Sequence, residues 1–255
     1  MSEYDDRINR EFLKDSLRKR TDFSRTDQNM GRPMPPVQKP FDPDAPRIRL
    51  PGSDKWQEVV RDLSLDQIIA NRKSRRRYAQ DPLLLEELSF LLWATQGLRS
   101  PEGSAANFRT VPSPGARHSF ETYIVGHNVE SLSPGLYRFL PLSHELLFIK
   151  EMPQAEFHLT KAAFGQRFIA SGALTFIWSC LPYRMEWRYG PNAYRTILMD
   201  IGHVCQNLYL ACEAIGGGTC AVAAYDQEAM DELLGLDGHD ELSIYLAPVG
   251  RALSR

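Results

Sequence analysis

The chain has 255 residues, 43% of them hydrophobic, which is enough for one sizeable core. Its formal net charge is −2, so bulk charge does not indicate a nucleic-acid-binding protein. The longest apolar runs, such as 173–181, are too short to span a bilayer, so we expect no membrane association. The N-terminus lacks the apolar segment of a signal peptide and the four cysteines form no C-x-x-C pair, which together predict a reduced, cytoplasmic protein.

The first 51 residues differ in composition from the rest of the chain. They are polar and charged, and become rich in proline from residue 33 onwards. Because such a segment cannot bury much surface by itself, we expect 1–51 to form an extended arm lying on the folded body or on a partner subunit. Aromatic and aliphatic residues are spaced along it like anchors: Phe12, Phe23, Phe41 and Leu50. The folded domain is expected to span 52–255.

Helix signals recur along this domain. The capping pattern from Ser64 to Gln67 predicts a short helix over 65–71. The Asp81-Pro82 pair, followed by a leucine-rich pattern, predicts a helix that begins there and ends at Gly97. Two further helices are expected after the middle of the chain, one over 194–215 that ends before Gly216 and one from Asp226 to about residue 234.

Strand signals lie between and after these helices. Short β-rich runs occur at 121–125, 135–139 and 145–149, and a continuous apolar run at 173–181 is most simply a buried strand. Alternating apolar residues over 241–248 predict a last strand. Helices and strands in this order indicate an α+β fold, with helices packed on a mixed or antiparallel sheet.

A basic stretch, NRKSRRRYAQ at 71–80, stands out in this slightly acidic chain. If it is extended, Arg72, Ser74 and Arg76 point one way. Lys73, Arg75 and Arg77 then point the other way, towards solvent or towards acidic residues of the arm. Two guanidinium groups with a hydroxyl between them suit a phosphate group, although a solvated basic surface explains the stretch equally well.

Three other stretches are candidates for binding. Prolines and a glycine make 109–118 a rigid turn that suits contact with a flat ligand, or else an ordinary tight loop. The small residues of 216–226 begin like a dinucleotide-binding motif but follow a helix, so they indicate close backbone approach or a simple helix end. His203 and Cys205 lie two apart on a predicted helix and do not face one site, so we expect packing roles for both and no metal site.

Taken in order, these stretches resemble the nitroreductase-like flavoproteins, and more closely their ThcOx/SagB-type dehydrogenase branch. The resemblance covers roughly 50–255. Its motifs are the basic segment 72–78, the R-x-x-P-S-x-G-A stretch from Arg109, the G-H-x-x-Q-N-L helix from Gly202, the small-residue loop 216–226 and the closing strand 248–251.

The resemblance implies a nitroreductase-like fold that forms an intertwined homodimer with flavin mononucleotide (FMN) at the subunit interface. It assigns cofactor contacts to several residues, and gives Asn207 a packing role. Arg72, Ser74, Arg76 and Arg251 would hold the phosphate group. The flavin ring would be contacted by Pro112, Ser113, Pro114 and Gly115 of the other subunit, and by the backbone of Ala223 and Ala224, where the family usually has glycine at the first position. Arg109 is a candidate cation near the reduced ring.

Arg188 and Tyr189 match a catalytic Lys-Tyr pair in the branch that oxidises thiazolines and oxazolines in peptides. Arginine stays protonated and is a poor base, which leaves Arg188 as a candidate for binding an anionic substrate and Tyr189 as a candidate proton donor or acceptor. We therefore expect an FMN-dependent oxidoreductase that acts on a small molecule, with NADH or NADPH as the electron donor or with direct substrate oxidation. An azoline dehydrogenase and a flavin-binding protein with little turnover are the alternatives.

Overall fold

The computed structural model describes residues 10–99 and 108–253. Residues 1–9 of the predicted arm, and 100–107 and 254–255 of the predicted domain, lie outside the described part of the chain. The strands are β1 Arg47–Arg49, β2 Phe120–Gly126, β3 Gly135–Leu140, β4 Glu145–Lys150, β5 Leu174–Cys180, β6 Gly217–Thr219 and β7 Leu242–Arg251. The α-helices are α1 Ser53–Trp56, α2 Leu65–Asn71, α3 Leu85–Gln96, α4 Ala155–Ala162, α5 Tyr183–Tyr189, α6 Ala193–Ala214 and α7 Gln227–Leu234.

The seven strands form one sheet in the order β1-β4-β3-β2-β5-β7-β6, and each neighbouring pair is antiparallel. The sheet is thus antiparallel, one of the two arrangements that the sequence predicts. Ser74 extends it by a parallel bridge to Thr219 of the edge strand β6. The basic stretch is thereby attached to one edge of the sheet.

Helices cover both faces of the sheet, because alternate residues of the central strands point to opposite sides. On one face Ile124 and Trp178 pack with Leu88 of α3 and Leu208 of α6. On the other face Val125 and Ile177 pack with residues of α4 and α7, among them Leu159, Met230 and Leu234. The predicted α+β fold is confirmed, with helices on both faces of a central sheet.

Most predicted elements are confirmed within two residues, but one boundary is wrong. Helix α3 begins at Leu85 rather than at Asp81-Pro82. Leu83 forms a bridge to Val129, which holds this part of the chain extended, and the Glu87 side chain accepts a hydrogen bond from the Leu84 N–H (2.8 Å) at the true helix start. Tertiary pairing therefore overrides the local proline signal. Helices α1, α4 and α5 and strands β1 and β6 have no counterpart among the predicted elements.

The arm lies on the folded body. Its strand β1 pairs with β4, and Arg138 donates hydrogen bonds to the carbonyl groups of Lys39 and Pro40 (3.0 and 3.1 Å). The Lys39 N–H donates to Glu121 (2.8 Å). Of the expected apolar anchors, Leu50 is buried but Phe12 is 51% exposed. Polar contacts with buried charged side chains therefore hold much of the arm.

Candidate functional site

Arg72 and Ser74 converge on Tyr209, a residue of α6 that the sequence analysis did not single out. The Ser74 and Tyr209 hydroxyl oxygens lie 2.9 Å apart, and the Arg72 guanidinium lies over the Tyr209 ring at 5.4 Å. The Tyr209 hydroxyl also accepts a hydrogen bond from the Ala221 N–H (2.8 Å), so its own proton is available for the Ser74 oxygen. Ser74 can then donate its proton to a ligand.

Arg76, the third residue of the predicted set, is exposed and lies over the ring of Phe168 at 5.5 Å. Within 10–99 and 108–253, no carboxylate lies within salt-bridge distance of Arg72 or Arg76. Two guanidinium groups without an acidic partner, close in sequence to a hydroxyl donor, have the donor chemistry that a phosphate group needs. These residues fit the phosphate end of FMN.

Arg75 has a different role from its neighbours. It forms a paired hydrogen-bonded ion pair with Glu213 near the end of α6, with Nη2 to Oε2 at 3.0 Å. Its backbone N–H donates to Thr219 (2.9 Å), and its carbonyl accepts from the buried hydroxyl of Tyr78 (2.6 Å). As the sequence predicts, Arg75 therefore does not point to the same side as Arg72. Its acidic partner, however, is Glu213 of the folded domain and not a residue of the arm.

Arg251 is held inside the folded chain. Its guanidinium donates to both carboxylate oxygens of Glu87 (2.6 and 2.7 Å) and to the carbonyl groups of Pro82 (3.0 Å) and Ile215 (3.2 Å). An arginine whose donors are so fully used has little left for a phosphate group. The structure gives Arg251 a bracing role between α3, α6 and β7, in place of the phosphate contact we expected.

The loop with Ala223 and Ala224 lies next to Tyr209 and its neighbour Ser74, because Ala221 at the start of the loop donates its N–H to the Tyr209 hydroxyl. Val222 is buried and exchanges hydrogen bonds with Leu246 (2.8 and 3.1 Å), while both alanines after it are exposed. Gln166 holds the far side by donating to the Ala224 carbonyl (2.7 Å). Both alanines thus lie at the surface near Tyr209.

A second group of residues forms around the turn from Pro112 to Gly115. Gly115 has φ +60°, and a Cβ on it would lie 2.8 Å from Cδ and Nε of Arg188 and 3.1 Å from the Tyr189 hydroxyl. Pro114 begins a short 3-10 helix, and the Ser113 hydroxyl accepts from the His118 N–H (3.1 Å). The structure thus brings the predicted ring-contacting loop directly against both predicted catalytic residues.

Asp200 adjoins this second group, although the sequence analysis did not identify it. Burial raises its pKa to about 6, opposed by the nearby Ser113 side chain and by His203. Its Oδ2 atom has no hydrogen-bond partner in the described part of the chain. Asp200 of α6 therefore lies beside the turn as a buried carboxyl group.

Arg109 lies away from open space. It is buried, and donates to the Gln96 side chain (2.7 Å) and to the Val37 carbonyl of the arm (2.8 Å). Burial lowers its pKa to about 10, opposed by the nearby carboxylate of Glu121. Its contacts give it an arm-anchoring role, and no feature of this geometry favours the flavin-stabilising role we expected.

Other residues of α6 behave as packing residues or surface residues. Asn207 donates to the Ala94 carbonyl (2.8 Å) and Cys205 is buried, which confirms their expected packing roles. His203 is about half exposed, so a packing role for it is wrong. Burial raises the pKa of Cys205 to about 12, which keeps it a thiol.

The two groups lie at different positions along α6. Asp200 lies in the group around the turn from Pro112 to Gly115, and Tyr209 lies in the group with Arg72 and Ser74. Asp200 and Tyr209 are nine residues apart in the sequence. At a rise of about 1.5 Å per residue the two positions are roughly 14 Å apart along the helix axis. The pairing of the strands also separates the two groups. Phe120 pairs with Cys180 near the turn, whereas Thr219 pairs with Val249 near Ser74. One chain therefore presents two separate groups of candidate residues.

Comparison with known proteins gives a consistent family. The model of the nitroreductase family matches residues 69–251. A protein of Methanocaldococcus jannaschii named as a nitroreductase is 32% identical over 194 residues, which are 76% of this chain and 94% of that protein. A crystal structure described as a nitroreductase from Ralstonia eutropha has a TM-score of 0.68 at 26% identity, covering 86% of this chain and 95% of that one.

Two further relatives come from Rhizobium leguminosarum bv. trifolii. The trifolitoxin operon protein TfxC and the trifolitoxin-processing protein TfxB are 27% and 28% identical, over 76% and 51% of this chain. The matches span only 57% and 36% of those two proteins. No helix in the described residues is long and apolar enough to cross a membrane. The chain belongs to the nitroreductase family of oxidoreductases and has the family's fold.

Proposed function

We propose that the protein is an FMN-dependent oxidoreductase that acts as a homodimer on a small molecule. The observation that carries the proposal is the pair of Arg72 and Ser74 at Tyr209, with the exposed Arg76 two residues further along the same segment. These residues offer two cations with no acidic partner among the described residues and one hydroxyl donor, next to a loop with two exposed alanines. Such a group suits one phosphate with an extended, polar ligand attached to it.

The separation of the two groups of candidate residues supports a dimer, in which each group would form one half-site: the first with Ser74 and Tyr209, the second with the turn from Pro112 to Gly115. A cofactor bound at Ser74 of one subunit would meet the turn from Pro112 to Gly115 of another copy. The exposed side of α6 also carries apolar side chains, with Leu198 49% and Met199 47% exposed, and a Cβ placed on Gly202 would have no atom within 4 Å. An exposed apolar stripe on a long helix is typical of a subunit interface.

The residues of the chain would bind, orient and move protons. FMN, when bound, supplies hydride acceptance and return at its N5 atom. The N–H groups of Ala223 and Ala224 would orient the ring by hydrogen bonding, and Tyr189 would transfer a proton. Arg188 remains a cation, because a guanidinium group is protonated at any physiological pH, so it would bind charge and not accept protons.

A second candidate is azoline oxidation in a peptide, and one of the two trifolitoxin relatives is named as a processing protein, in keeping with peptide modification. Arg188 argues against it, because the corresponding lysine would be the base. Incubation of the flavin-loaded protein with a thiazoline-containing peptide separates the two candidates. Loss of two hydrogen atoms by mass spectrometry would favour peptide oxidation, and an unchanged mass would favour the small-molecule oxidoreductase.

Reconstitution tests the main proposal. The purified protein should take up one FMN per subunit, show flavin absorption and sediment as a dimer, and NADH or NADPH should bleach the flavin under anaerobic conditions. Protein that cannot be reconstituted with FMN, or a monomer that still holds it with the same contacts, would overturn the proposal. Flavin uptake without bleaching by either nicotinamide would favour direct substrate oxidation or a binding protein with little turnover.

A further inference from the structure

The N-terminal arm forms one side of an open surface cavity beside the two predicted catalytic residues. This cavity faces solvent and has a volume of about 300 Å³. Its lining residues come from two regions of the chain: Arg18, Phe23, Gln28 and Asn29 of the arm, and Arg188 and Tyr189 of α5. Since Arg188 and Tyr189 also contact Gly115, the cavity adjoins the turn that we expect to contact the flavin ring.

The arm is attached to α5 by several hydrogen bonds, so the cavity wall is part of the folded structure. The Gln28 N–H donates to the Trp187 carbonyl (2.9 Å), and the Trp187 indole N–H donates to the Arg32 carbonyl (3.0 Å). Asn192, just after α5, donates to the Thr21 hydroxyl (2.8 Å). The arm is therefore fixed at Thr21, Gln28 and Arg32, which lie among and just after the residues that line the cavity.

The cavity is cationic. Among the described residues no carboxylate lies within salt-bridge distance of Arg188. Arg117 lies nearby, and burial together with the Arg188 guanidinium lowers its pKa. Asp15 pairs with Arg18 (2.7 Å) and so does not neutralise Arg188.

The walls also suit a flat ring. Phe23 and Tyr189 provide aromatic surfaces, and the Gln28 and Asn29 side chains add polar groups at the rim. A guanidinium fork matches a carboxylate with two parallel hydrogen bonds, which a neutral amide cannot accept in the same way. A volume of about 300 Å³ is at the small end of ligand sites and fits a compact molecule.

We propose that this cavity binds small aromatic carboxylates, with Arg188 holding the carboxylate and the arm of the same chain selecting the ring. The inference rests on the proposed function for the statement that the bound carboxylate is the substrate. The binding itself needs only residues of this chain. It makes residues 18–29 of the arm determinants of specificity, a role that no periodicity or motif in the arm indicates.

Calorimetric titration with phenylacetate and with phenylacetamide tests the proposal, since the two probes have nearly the same shape and differ in charge. The full-length, FMN-loaded protein should bind phenylacetate at least tenfold more tightly than the amide. Arg188→Gln should abolish this preference, and Arg188→Lys should keep part of it. Phe23→Ala should weaken both probes, and Arg77→Ala, an exposed cation outside the cavity, should change neither.

Equal affinity for the two probes, or an unchanged preference in Arg188→Gln, would overturn the inference. FMN affinity and thermal unfolding of each variant, measured in parallel, show that the variants are folded and loaded. If the protein takes up no FMN and still prefers phenylacetate in an Arg188-dependent way, the proposed function fails and the carboxylate site stands. If FMN binds and is bleached but the preference for phenylacetate is absent, the proposed function stands and the carboxylate site fails.

Discussion

We expect two arginines of the basic stretch to have different roles, Arg75 in stabilising the fold and Arg76 in binding the phosphate group of FMN. Substituting Arg75 should therefore change the stability, and substituting Arg76 should change the FMN affinity. Arg75 is the structural one, because its ion pair with Glu213 leaves the two side chains only 17% and 9% exposed. Arg75→Ala removes the partner of a buried carboxylate. Breaking such a pair costs about 3–5 kcal/mol, and the partial exposure of Arg75 places the expected loss of unfolding free energy near 3 kcal/mol. For a chain of this size that lowers Tm by roughly 6–12 °C.

Arg76 should show the opposite behaviour. It is exposed and has no acidic partner among the described residues, so Arg76→Ala should leave Tm within about 2 °C of the wild type, as for most surface substitutions. Loss of a cation from a phosphate contact should weaken FMN binding by about 2 kcal/mol, or roughly thirtyfold. Arg77→Ala, an exposed neighbour, serves as the matched control and should change neither quantity.

The assay is thermal unfolding of flavin-free protein at one fixed protein concentration, with FMN affinity measured separately by fluorescence quenching. A double-mutant cycle adds a second check, since Arg75→Ala and Glu213→Ala together should cost at least about 1 kcal/mol less than the sum of the single substitutions. An Arg75→Ala protein with unchanged Tm and weakened FMN binding would refute the division of roles. Unchanged FMN affinity in Arg76→Ala would refute the phosphate assignment.

Three further substitutions test the second half-site and the arm. Gly115→Ala should cost about 1–2 kcal/mol in unfolding free energy, because alanine is strained at φ +60°, and unchanged stability would contradict the tight packing there. The pKa of Asp200 is raised to about 6 in the folded protein, so ionisation of this carboxyl group lowers the free energy of unfolding as the pH rises from about 4 through 6. Asp200→Asn should remove this loss, which is worth about 2–3 kcal/mol. Identical pH profiles of unfolding for the variant and the wild type would contradict this expectation. Lys39→Ala leaves the buried Glu241 without its cation and should make the arm more susceptible to limited proteolysis, whereas an unchanged cleavage rate would show that the arm is held without this pair.

Local patterns predicted much of the fold because they report on local physics. The capping box of Ser64 and Gln67 satisfies helix N–H groups within four residues, and the helix it predicts is present with the same bounds. The long helix ends at Ala214 just before Gly216, whose φ of +69° an L-residue with a side chain rarely adopts. The start of α3 was wrong because Leu83 pairs with Val129, a contact 46 residues away that no local pattern contains.

Site residues divide in the same way. The motif spacing pointed to Arg72, Ser74 and Arg76 on one side of an extended segment, and neither arginine forms an ion pair with any residue that the structure describes. Arg109 and Arg251 look equally basic in the sequence, yet both are occupied by partners inside the fold. An arginine's availability depends on which carboxylates and carbonyl groups surround it, and those come from distant parts of the chain.

The sequence by itself determined most of the long helices and strands, the family and the identity of the two candidate motifs, because each depends on residues close together in the chain. Only the tertiary structure decided which charges are free and which are paired, and it brought Tyr209 beside Ser74 and Asp200 beside Ser113. It also placed the arm against Arg188. Side chains far apart in sequence meet through packing on the sheet, and packing is a property of the whole chain.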